Sequence, residues 1–260
     1  MPSTEFKLQI DPVTGRRIAV FRKYLPSGTS PIFQAEARGL AAIAATGTVA
    51  TPAVIQSSER EIVTALIYQG QPRHDAWALL GEQIGSLHRL PQTSFGFDID
   101  TFCGANRQPN PLTENGHRFF TCHRLQFQAD MASEAGWLST SERADVDALC
   151  ARISALIPEQ APALLHGDLW RGNVLFDEAG SPFVIDPACY WGWPEADIAM
   201  CDLFGGFASE FFERWASVYQ PLSGWRERLP LYQLYHLLNH LNLFGRSYHA
   251  DVLAVLRRFR

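Results

Sequence analysis

The segment His166-Gly167-Asp168-Leu169-Trp170-Arg171-Gly172-Asn173, followed by Ile185-Asp186-Pro187, decides the fold of this chain. Two short apolar runs, 174–176 and 183–185, flank a turn at 177–180 that contains Asp and Gly. This pattern predicts a β-hairpin. The hairpin should fold Asp186 back beside Asn173, so that oxygen atoms of both side chains reach one cation.

The polar residues of this segment suit a magnesium-dependent phosphoryl transfer. Such a reaction needs positioning and neutralisation of phosphate charge rather than covalent help from the protein. Asp168 precedes Asn173 by the interval that separates the base from the metal-binding Asn in a kinase catalytic loop. We therefore expect Asp168 to accept a hydroxyl proton, Asn173 and Asp186 to bind Mg²⁺, and His166 to support the loop by hydrogen bonds. The alternative, that Asp168 and Asn173 only stabilise turns, fits the combined pattern less well.

Composition limits the classes of function. The 260 residues are 47% hydrophobic and 19% charged, which is ordinary for a globular protein. The net charge of −5 does not indicate a nucleic-acid partner. Five scattered cysteines without a C-x-x-C motif argue against a disulfide framework or a zinc ribbon, and are typical of a reducing cytosol. With no signal sequence and no run of 18 apolar residues, we expect a cytoplasmic protein without a membrane partner.

The order of predicted elements indicates an α+β fold with two lobes. Strands are expected at Glu5–Ile10 and Arg17–Tyr24, joined by a loop at 11–15, and again at Glu59–Tyr68. A helix is expected from Ser30-Pro31 to about Ala45, and helices dominate after Pro72, including one that a capping box starts at Ser139. This order predicts a β-rich N-lobe over residues 1–68 and a helical C-lobe over residues 69–260, with an open cleft between them.

Glu36 lies on the apolar stripe of the first predicted helix, together with Phe33 and Leu40. A carboxylate on a packed face needs a cationic partner. Lys23, on the preceding strand, is the best candidate. A Lys–Glu pair between strand and helix is how kinases hold the lysine that contacts nucleotide phosphates. An ordinary surface pair is the alternative interpretation.

Several longer blocks make the chain similar to the fructosamine kinase (ketosamine kinase) family, which is related to aminoglycoside phosphotransferases and more distantly to protein kinases. The blocks are the HGDLW-x-GN segment at 166–173, DPA-x-Y-x-G at 186–192, EADIAM at 195–200, LFGGF at 203–207 and LYQLYHLLNHLNLFG at 231–245.

The resemblance implies a two-lobed, protein-kinase-like fold and ATP-dependent phosphorylation of a sugar hydroxyl on a ketoamine, often a glycated lysine, in a deglycation role. It also implies that Asp168 is the base, that Asn173 and Asp186 bind Mg²⁺, and that Lys23 and Glu36 form the phosphate clamp. Trp191 and Trp193 border the predicted cleft. We expect a weaker substrate-binding role for Trp191, by stacking on the sugar or its amine substituent, with packing in the core as the alternative. A weaker role is also expected for Glu195, facing the substrate amine.

The chain departs from the family pattern in two places. The family has a first strand followed by a glycine-rich loop that covers the phosphates, but only about twenty residues precede Lys23 here. We therefore expect this segment to be missing, through either a true truncation or a late start codon. Its loss should weaken nucleotide binding and water exclusion. Trp193-Pro194 stands where relatives usually carry His-Arg. If the side chains at these two positions contact the sugar or the phosphate, the difference should affect substrate choice or turnover.

Three alternatives remain at this point. The acceptor could be another small alcohol, such as an aminoglycoside or choline. The chain could also be a degenerate kinase that binds nucleotide without turnover. His236 and His240 are four residues apart on a predicted helix, but no third ligand is evident, so a metal pair there is disfavoured. The preferred sugar and amine, the use of free or protein-bound adducts, and the oligomeric state are left open by the sequence.

Overall fold

An antiparallel sheet and a single helix form the first part of the chain. The computed structural model describes residues 2–10, 15 and 17–259. The elements of this part are β1 (Ser3–Ile10), β2 (Arg17–Tyr24), α1 (Ile32–Thr46), β3 (Val54–Ser57) and β4 (Glu61–Ala65). The strands form an antiparallel sheet in the order β1-β2-β4-β3.

Packing of α1 on the sheet explains its position. Phe33, Ala37 and Leu40 recur at helical spacing and bury one face of α1 against Ile62 of β4. The helix ends at Gly47, whose φ of 65° is a left-handed conformation that glycine adopts without steric cost. The buried face therefore fixes which side of α1 points toward β2.

The rest of the chain is mainly helical, with short hairpins inserted. Its elements are α2 (Ala76–His88), β5 (Thr101–Cys103), β6 (Asn106–Gln108), α3 (Gly116–Phe120), α4 (Phe127–Glu134), α5 (Thr140–Leu156), β7 (Ala163–Leu165), β8 (Val174–Phe176), β9 (Pro182–Val184), β10 (Tyr190–Gly192), α6 (Glu195–Leu203), α7 (Ser209–Tyr219), α8 (Trp225–Phe244) and α9 (His249–Arg258). A π-helical segment, Thr121–Gln126, joins α3 to α4. The large hydrophobic core lies among these helices.

The local patterns of the sequence predicted several elements correctly. Strand β2 has the predicted bounds. Strands β8 and β9 pair antiparallel, with Val174 opposite Val184, as the hairpin prediction required. Ser139 forms the predicted capping box with Glu142, and α5 follows it. Sequence patterns that are complete within ten to twenty residues were therefore reliable guides.

Other boundaries were wrong. The predicted strand Glu59–Tyr68 is shorter, because a turn at 58–60 precedes β4 and the chain leaves the sheet after Ala65. Residues 69 and 70 instead bond to the β8–β9 hairpin, through a bridge from Gln69 to Asp177 and a bond from the amide of Gly70 to Phe176. The first helix begins at Ile32 rather than at Pro31. The predicted loop at 11–15 lies outside the described residues except for Gly15.

The division of the chain between residues 68 and 69 stays a prediction. Within the part that the structure describes, no helix is both long enough and apolar enough to cross a bilayer.

Helices α2 and α7 pack unusually closely because glycine lies at their contact. A Cβ atom added to Gly81 would lie 2.3 Å from the carbonyl oxygen of Phe211. Large side chains on both sides of this contact are fully buried, among them Leu80, Ile84 and Trp215. The position of α7 therefore depends on the absence of a side chain at residue 81.

We expect Gly81→Ala to destabilise the protein, because the new methyl group must push the α7 backbone away from α2. The free energy of unfolding should fall by about 1–3 kcal/mol, the usual cost of overpacking. Urea titration followed by tryptophan fluorescence measures this change. Ser86→Ala on the same helix is the control and should change stability by less than about 0.5 kcal/mol. Equal stabilities of the two variants would contradict the packing argument.

Candidate active site

The loop after β7 brings Asp168 and Asn173 into direct contact. The side-chain nitrogen Nδ2 of Asn173 donates to the backbone oxygen of Asp168 at 2.8 Å and to its carboxylate Oδ2 at 3.2 Å. Because both bonds use the nitrogen, the amide oxygen of Asn173 stays available to another ligand. The turn Arg171–Asn173 then leads directly into β8.

Asp186 follows the β8–β9 hairpin and returns to the same place. The amide of Ile185 donates to the backbone oxygen of Asn173 at 3.0 Å. This bond holds the residue next to Asp186 against the loop. Its backbone φ is 56°, a left-handed conformation that is uncommon for residues other than glycine. The three polar side chains singled out by the sequence are thus assembled by one loop and one hairpin.

Lys23 connects the sheet to this assembly. Its ammonium group lies 2.8 Å from Glu36 Oε1 and also pairs with the carboxylate of Asp186. Burial alone would lower the pKa of Lys23, but the two carboxylates outweigh burial and raise it. Lys23 is therefore a cation held between α1 and the β8–β9 hairpin with Asp186 at its end, which we call the catalytic hairpin. The pairing of Lys23 with Glu36 that the sequence predicted is present in the structure.

A cleft of about 630 Å³ opens beside these charges. The side chains of Lys23, Glu36 and Asp186 line it together with mainly apolar residues. These come from β1, β2, α1, the loop before β3, β4, the segment that follows β4, and the β8–β9 hairpin with the residue after it, namely Phe6, Phe21, Leu40, Pro52, Ile62, Thr64, Ala65, Leu66, Ile67, Gln69, Leu175 and Ile185. An apolar cleft with a few polar groups is the usual form of a small-molecule site.

The carboxylate of Asp197 binds the start of the loop at 166–173, which we call the catalytic loop. Its Oδ2 accepts the amide of His166 and its Oδ1 accepts the amide of Gly167, each at 2.8 Å. His88 Nε2 lies 3.2 Å from the same carboxylate, and His88 Nδ1 accepts the indole N–H of Trp215 at 3.0 Å. Because Nδ1 is an acceptor, the proton of the neutral ring is on Nε2 and points to Asp197. Burial would raise the pKa of Asp197, but these hydrogen bonds lower it overall.

Two further contacts fix the loop. His166 Nε2 lies 2.9 Å from the carbonyl of Ile185, and His166 Nδ1 accepts the amide of Asp168 at 3.3 Å, which is the supporting role that we expected for His166. Burial lowers the pKa of His166, so the ring is neutral near pH 7. Gly167 has a φ of 83°, and a Cβ atom there would lie 2.0 Å from the carbonyl of Ala188. Only glycine fits at this position.

Asp168 lies in an environment that favours its protonated form. Burial raises its pKa to about 7, against the hydrogen bond from Asn173 and with help from the charges of Asp186 and Asp197. A carboxyl group with a pKa near 7 can take up and release a proton at physiological pH. Such a group is well suited to general base catalysis.

The structure corrects the expectation for Glu195. This residue is fully buried and forms a two-pronged ion pair with Arg228, with Arg228 Nε donating to Glu195 Oε2 at 2.9 Å. Its carboxylate is therefore committed to α8 and does not face a substrate amine. Trp191 is half-buried and packs edge-on against Phe97 at 5.3 Å, and a role in stacking on a substrate stays a prediction.

Sequence reasoning missed His88, although it lies one position beyond Leu87 on the apolar stripe of α2. A histidine at a core position was the available signal. It also missed Cys103, which contacts Asp168. Cys103 is far from the catalytic loop in sequence and belongs to no motif, so no local signal identified it.

We expect Asp197→Asn to destabilise the protein strongly, because an amide cannot accept both loop amides and the His88 proton. The free energy of unfolding should fall by about 3 kcal/mol, as for other buried polar networks that lose one partner. Urea titration measures this loss. The control is Asp202→Asn, whose carboxylate is exposed and accepts from Gln233, and whose stability should be nearly unchanged. A small effect at position 197 would show that the loop does not depend on this carboxylate.

Comparison with known proteins places the chain among relatives of similar sequence. The sequence profile named Fructosamine kinase matches residues 9–259. A probable ketoamine kinase of Synechocystis is 36% identical over 234 residues, which cover 87% of this chain and 78% of the relative. Protein-ribulosamine 3-kinase of Arabidopsis thaliana is 32% identical over 241 residues, which cover 86% of this chain and 71% of the relative.

Solved structures show the same fold. A protein from Thermobifida fusca assigned as a fructosamine-3-kinase superposes with a TM-score of 0.88 at 28% identity, and the match covers 99% of this chain and 92% of that protein. An aminoglycoside phosphotransferase solved with gentamicin has a TM-score of 0.61 at 15% identity, over 98% of this chain and 92% of that protein, so it supports the fold alone. The predicted two-lobed, kinase-like α+β fold is confirmed. The chain therefore belongs to the fructosamine kinase family, whose members are phosphotransferases.

Proposed function

We propose that this protein is an ATP- and Mg²⁺-dependent kinase that phosphorylates a sugar hydroxyl of a ketoamine. The observation that carries the proposal is the assembly of Asp168, Asn173 and Asp186 beside Lys23, at the edge of an apolar cleft. Phosphoryl transfer requires a base, hard oxygen ligands for a divalent ion and a cation for the phosphates. These residues supply all three.

The residues around Asp186 fit a magnesium ion. The free amide oxygen of Asn173 and the carboxylate of Asp186 are hard oxygen donors, and Mg²⁺ typically takes one or two such ligands besides water and substrate phosphates. When bound, the ion supplies neutralisation of phosphate charge. Lys23, held by Glu36, would contribute a further positive charge to the phosphates of ATP.

Asp168 would act as the general base. The hydrogen bond from Asn173 fixes the orientation of its carboxylate, and the braced loop fixes its position. As the acceptor hydroxyl attacks the terminal phosphate, its proton moves to the carboxylate of Asp168. The pKa of about 7 lets the base be ionised in the resting enzyme and still hold the proton after transfer.

A ketoamine is the acceptor best supported by the relatives. Those that share about a third of their sequence with this chain are named as ketoamine or protein-ribulosamine kinases, which favours fructosamines or ribulosamines, free or on glycated lysine, and a role in deglycation. Aminoglycoside and choline kinases share only the fold, at 16% identity or less. A degenerate kinase is not favoured, because the relatives are named as kinases and because Asp168, Asn173 and Asp186 adjoin one another.

We expect Asp168→Asn to lower kcat by roughly 100-fold or more, because an amide cannot accept the proton of the acceptor. Release of ADP is measured with ATP, Mg²⁺ and a synthetic fructosamine or ribulosamine. The control is Asp75→Asn, an exposed carboxylate paired with Arg73, which should retain the wild-type rate. An unchanged rate in Asp168→Asn would exclude Asp168 as the base, and wild-type protein inert on every ketoamine would refute the proposed acceptor.

We expect kcat/KM to depend on pH through Asp168. The carboxylate must be ionised to accept a proton, so activity should be full above its pKa of about 7 and should fall about tenfold per unit of pH below it. Initial rates between about pH 5.5 and pH 8.5, at saturating Mg²⁺, measure the profile. An apparent pKa near that of an ordinary aspartate would contradict the assigned environment of this residue.

A further inference from the structure

A second group of metal-binding side chains adjoins the catalytic carboxylate. Cys103 at the end of β5, Asp168 and His236 of α8 each place one potential ligand atom within 4.8 Å of the others. Cys103 is 2% exposed and His236 is 1% exposed. Three elements that are distant in sequence therefore converge on one buried point.

His236 also has a buried ring nitrogen that lacks a partner. Its Nδ1 atom is buried and, within the described part of the chain, no hydrogen-bond partner for it is found. A buried polar atom without a partner costs about 1–3 kcal/mol, and a bound water, ion or ligand would remove that cost. His240, the neighbour that sequence spacing had paired with His236, is turned away and packs on Phe204, Phe244 and Tyr248.

We propose that Cys103, Asp168 and His236 form a binding site for Zn²⁺, and that Zn²⁺ bound there inhibits the enzyme. A thiolate, an imidazole and a carboxylate are the ligands that zinc prefers, whereas Mg²⁺ takes oxygen ligands. Metal–ligand distances of about 2.0–2.3 Å put neighbouring ligands of a tetrahedral zinc roughly 3.5 Å apart. The three donors, now within 4.8 Å of one another, would need to approach by about 1.3 Å at most.

Charge balance also suits the site. Zinc would displace the thiol proton of Cys103 to solvent, bond to the resulting thiolate, and take one lone pair from the ring of His236 and one from Asp168. One thiolate and one carboxylate neutralise the two charges of the ion. A neutral complex is far less costly to bury than an isolated ion. A fourth position remains for water or substrate, as in other three-ligand zinc sites.

The inhibition follows from the shared ligand and rests on the proposed function. An Asp168 carboxylate that is bonded to zinc cannot accept the proton of the acceptor hydroxyl. The magnesium ligands Asn173 and Asp186 are not part of the zinc site, so excess Mg²⁺ should not displace the zinc. The site would make activity sensitive to free zinc at constant ATP and Mg²⁺.

Binding is tested first, because it does not depend on any kinase activity. Purified protein in excess Mg²⁺ is titrated with Zn²⁺ by calorimetry and with Co²⁺ by absorption spectroscopy. We expect one site and a thiolate-to-cobalt charge-transfer band in the near ultraviolet. Cys103→Ser should abolish the band, and both Cys103→Ser and His236→Asn should weaken zinc binding by roughly tenfold or more. The controls Cys122→Ser and Cys150→Ser remove half-buried thiols outside the cluster and should bind zinc like the wild type.

The outcomes separate the two proposals. If the cobalt band is absent, or if it persists in Cys103→Ser, the proposed site is wrong. Zinc inhibition is then measured, with ATP and Mg²⁺ held constant, as the ratio of rates with and without zinc, each variant being compared with its own zinc-free rate. Wild type should be inhibited at zinc concentrations that leave Cys103→Ser active. Zinc binding without inhibition would refute the inhibitory role, whereas zinc-free protein that is inert on ketoamines with ATP and Mg²⁺ would refute the proposed function and leave the binding result intact.

Discussion

The buried carboxylate of Asp197 is the interaction on which the active site depends. The start of the catalytic loop cannot use strand pairing, because Gly167 adopts a left-handed conformation. Its amides must still be satisfied in the protein interior. Asp197 accepts two of them and is itself held by His88, which is held by Trp215. A chain of polar contacts thus runs from α7 through α2 and α6 to the loop that carries Asp168, the proposed base.

Lys23 supplies a second constraint, between the sheet and the helical part of the molecule. Its ammonium group is shared between Glu36 on α1 and Asp186 on the catalytic hairpin. The carboxylate of Glu36 is largely buried, where an isolated negative charge would be costly. The same cation therefore stabilises the folded protein and occupies the region proposed for the phosphates. The charges of Lys23 and its two carboxylates thus contribute both to folding and to the proposed binding of ATP.

Most of the proposed catalytic residues could be predicted because each belongs to a pattern completed within a short stretch. The spacing of Asp168 and Asn173, the hairpin before Asp186 and the helical stripe that contains Glu36 are all local. The errors concern partners that only the tertiary fold brings together. Glu195 was expected at the cleft, but it pairs with Arg228, which lies 33 residues away on another helix. Residue spacing could not identify that partner. His88, Cys103 and the surroundings of His236 depend on packing between distant elements, which residue spacing does not encode. Short strands such as β5 and β6 carry too few residues to show a period.

The backbone at Asp186 has a consequence for how this position can vary. Its left-handed φ of 56° costs an aspartate more conformational energy than a glycine or an asparagine. Glycine would relax the chain there but would discard the negative charge, and asparagine would keep the shape with a weaker hold on a cation. The protein thus gives up some conformational stability at residue 186 in return for an oriented anion, and selection for thermostability alone would favour replacements that remove the proposed metal ligand.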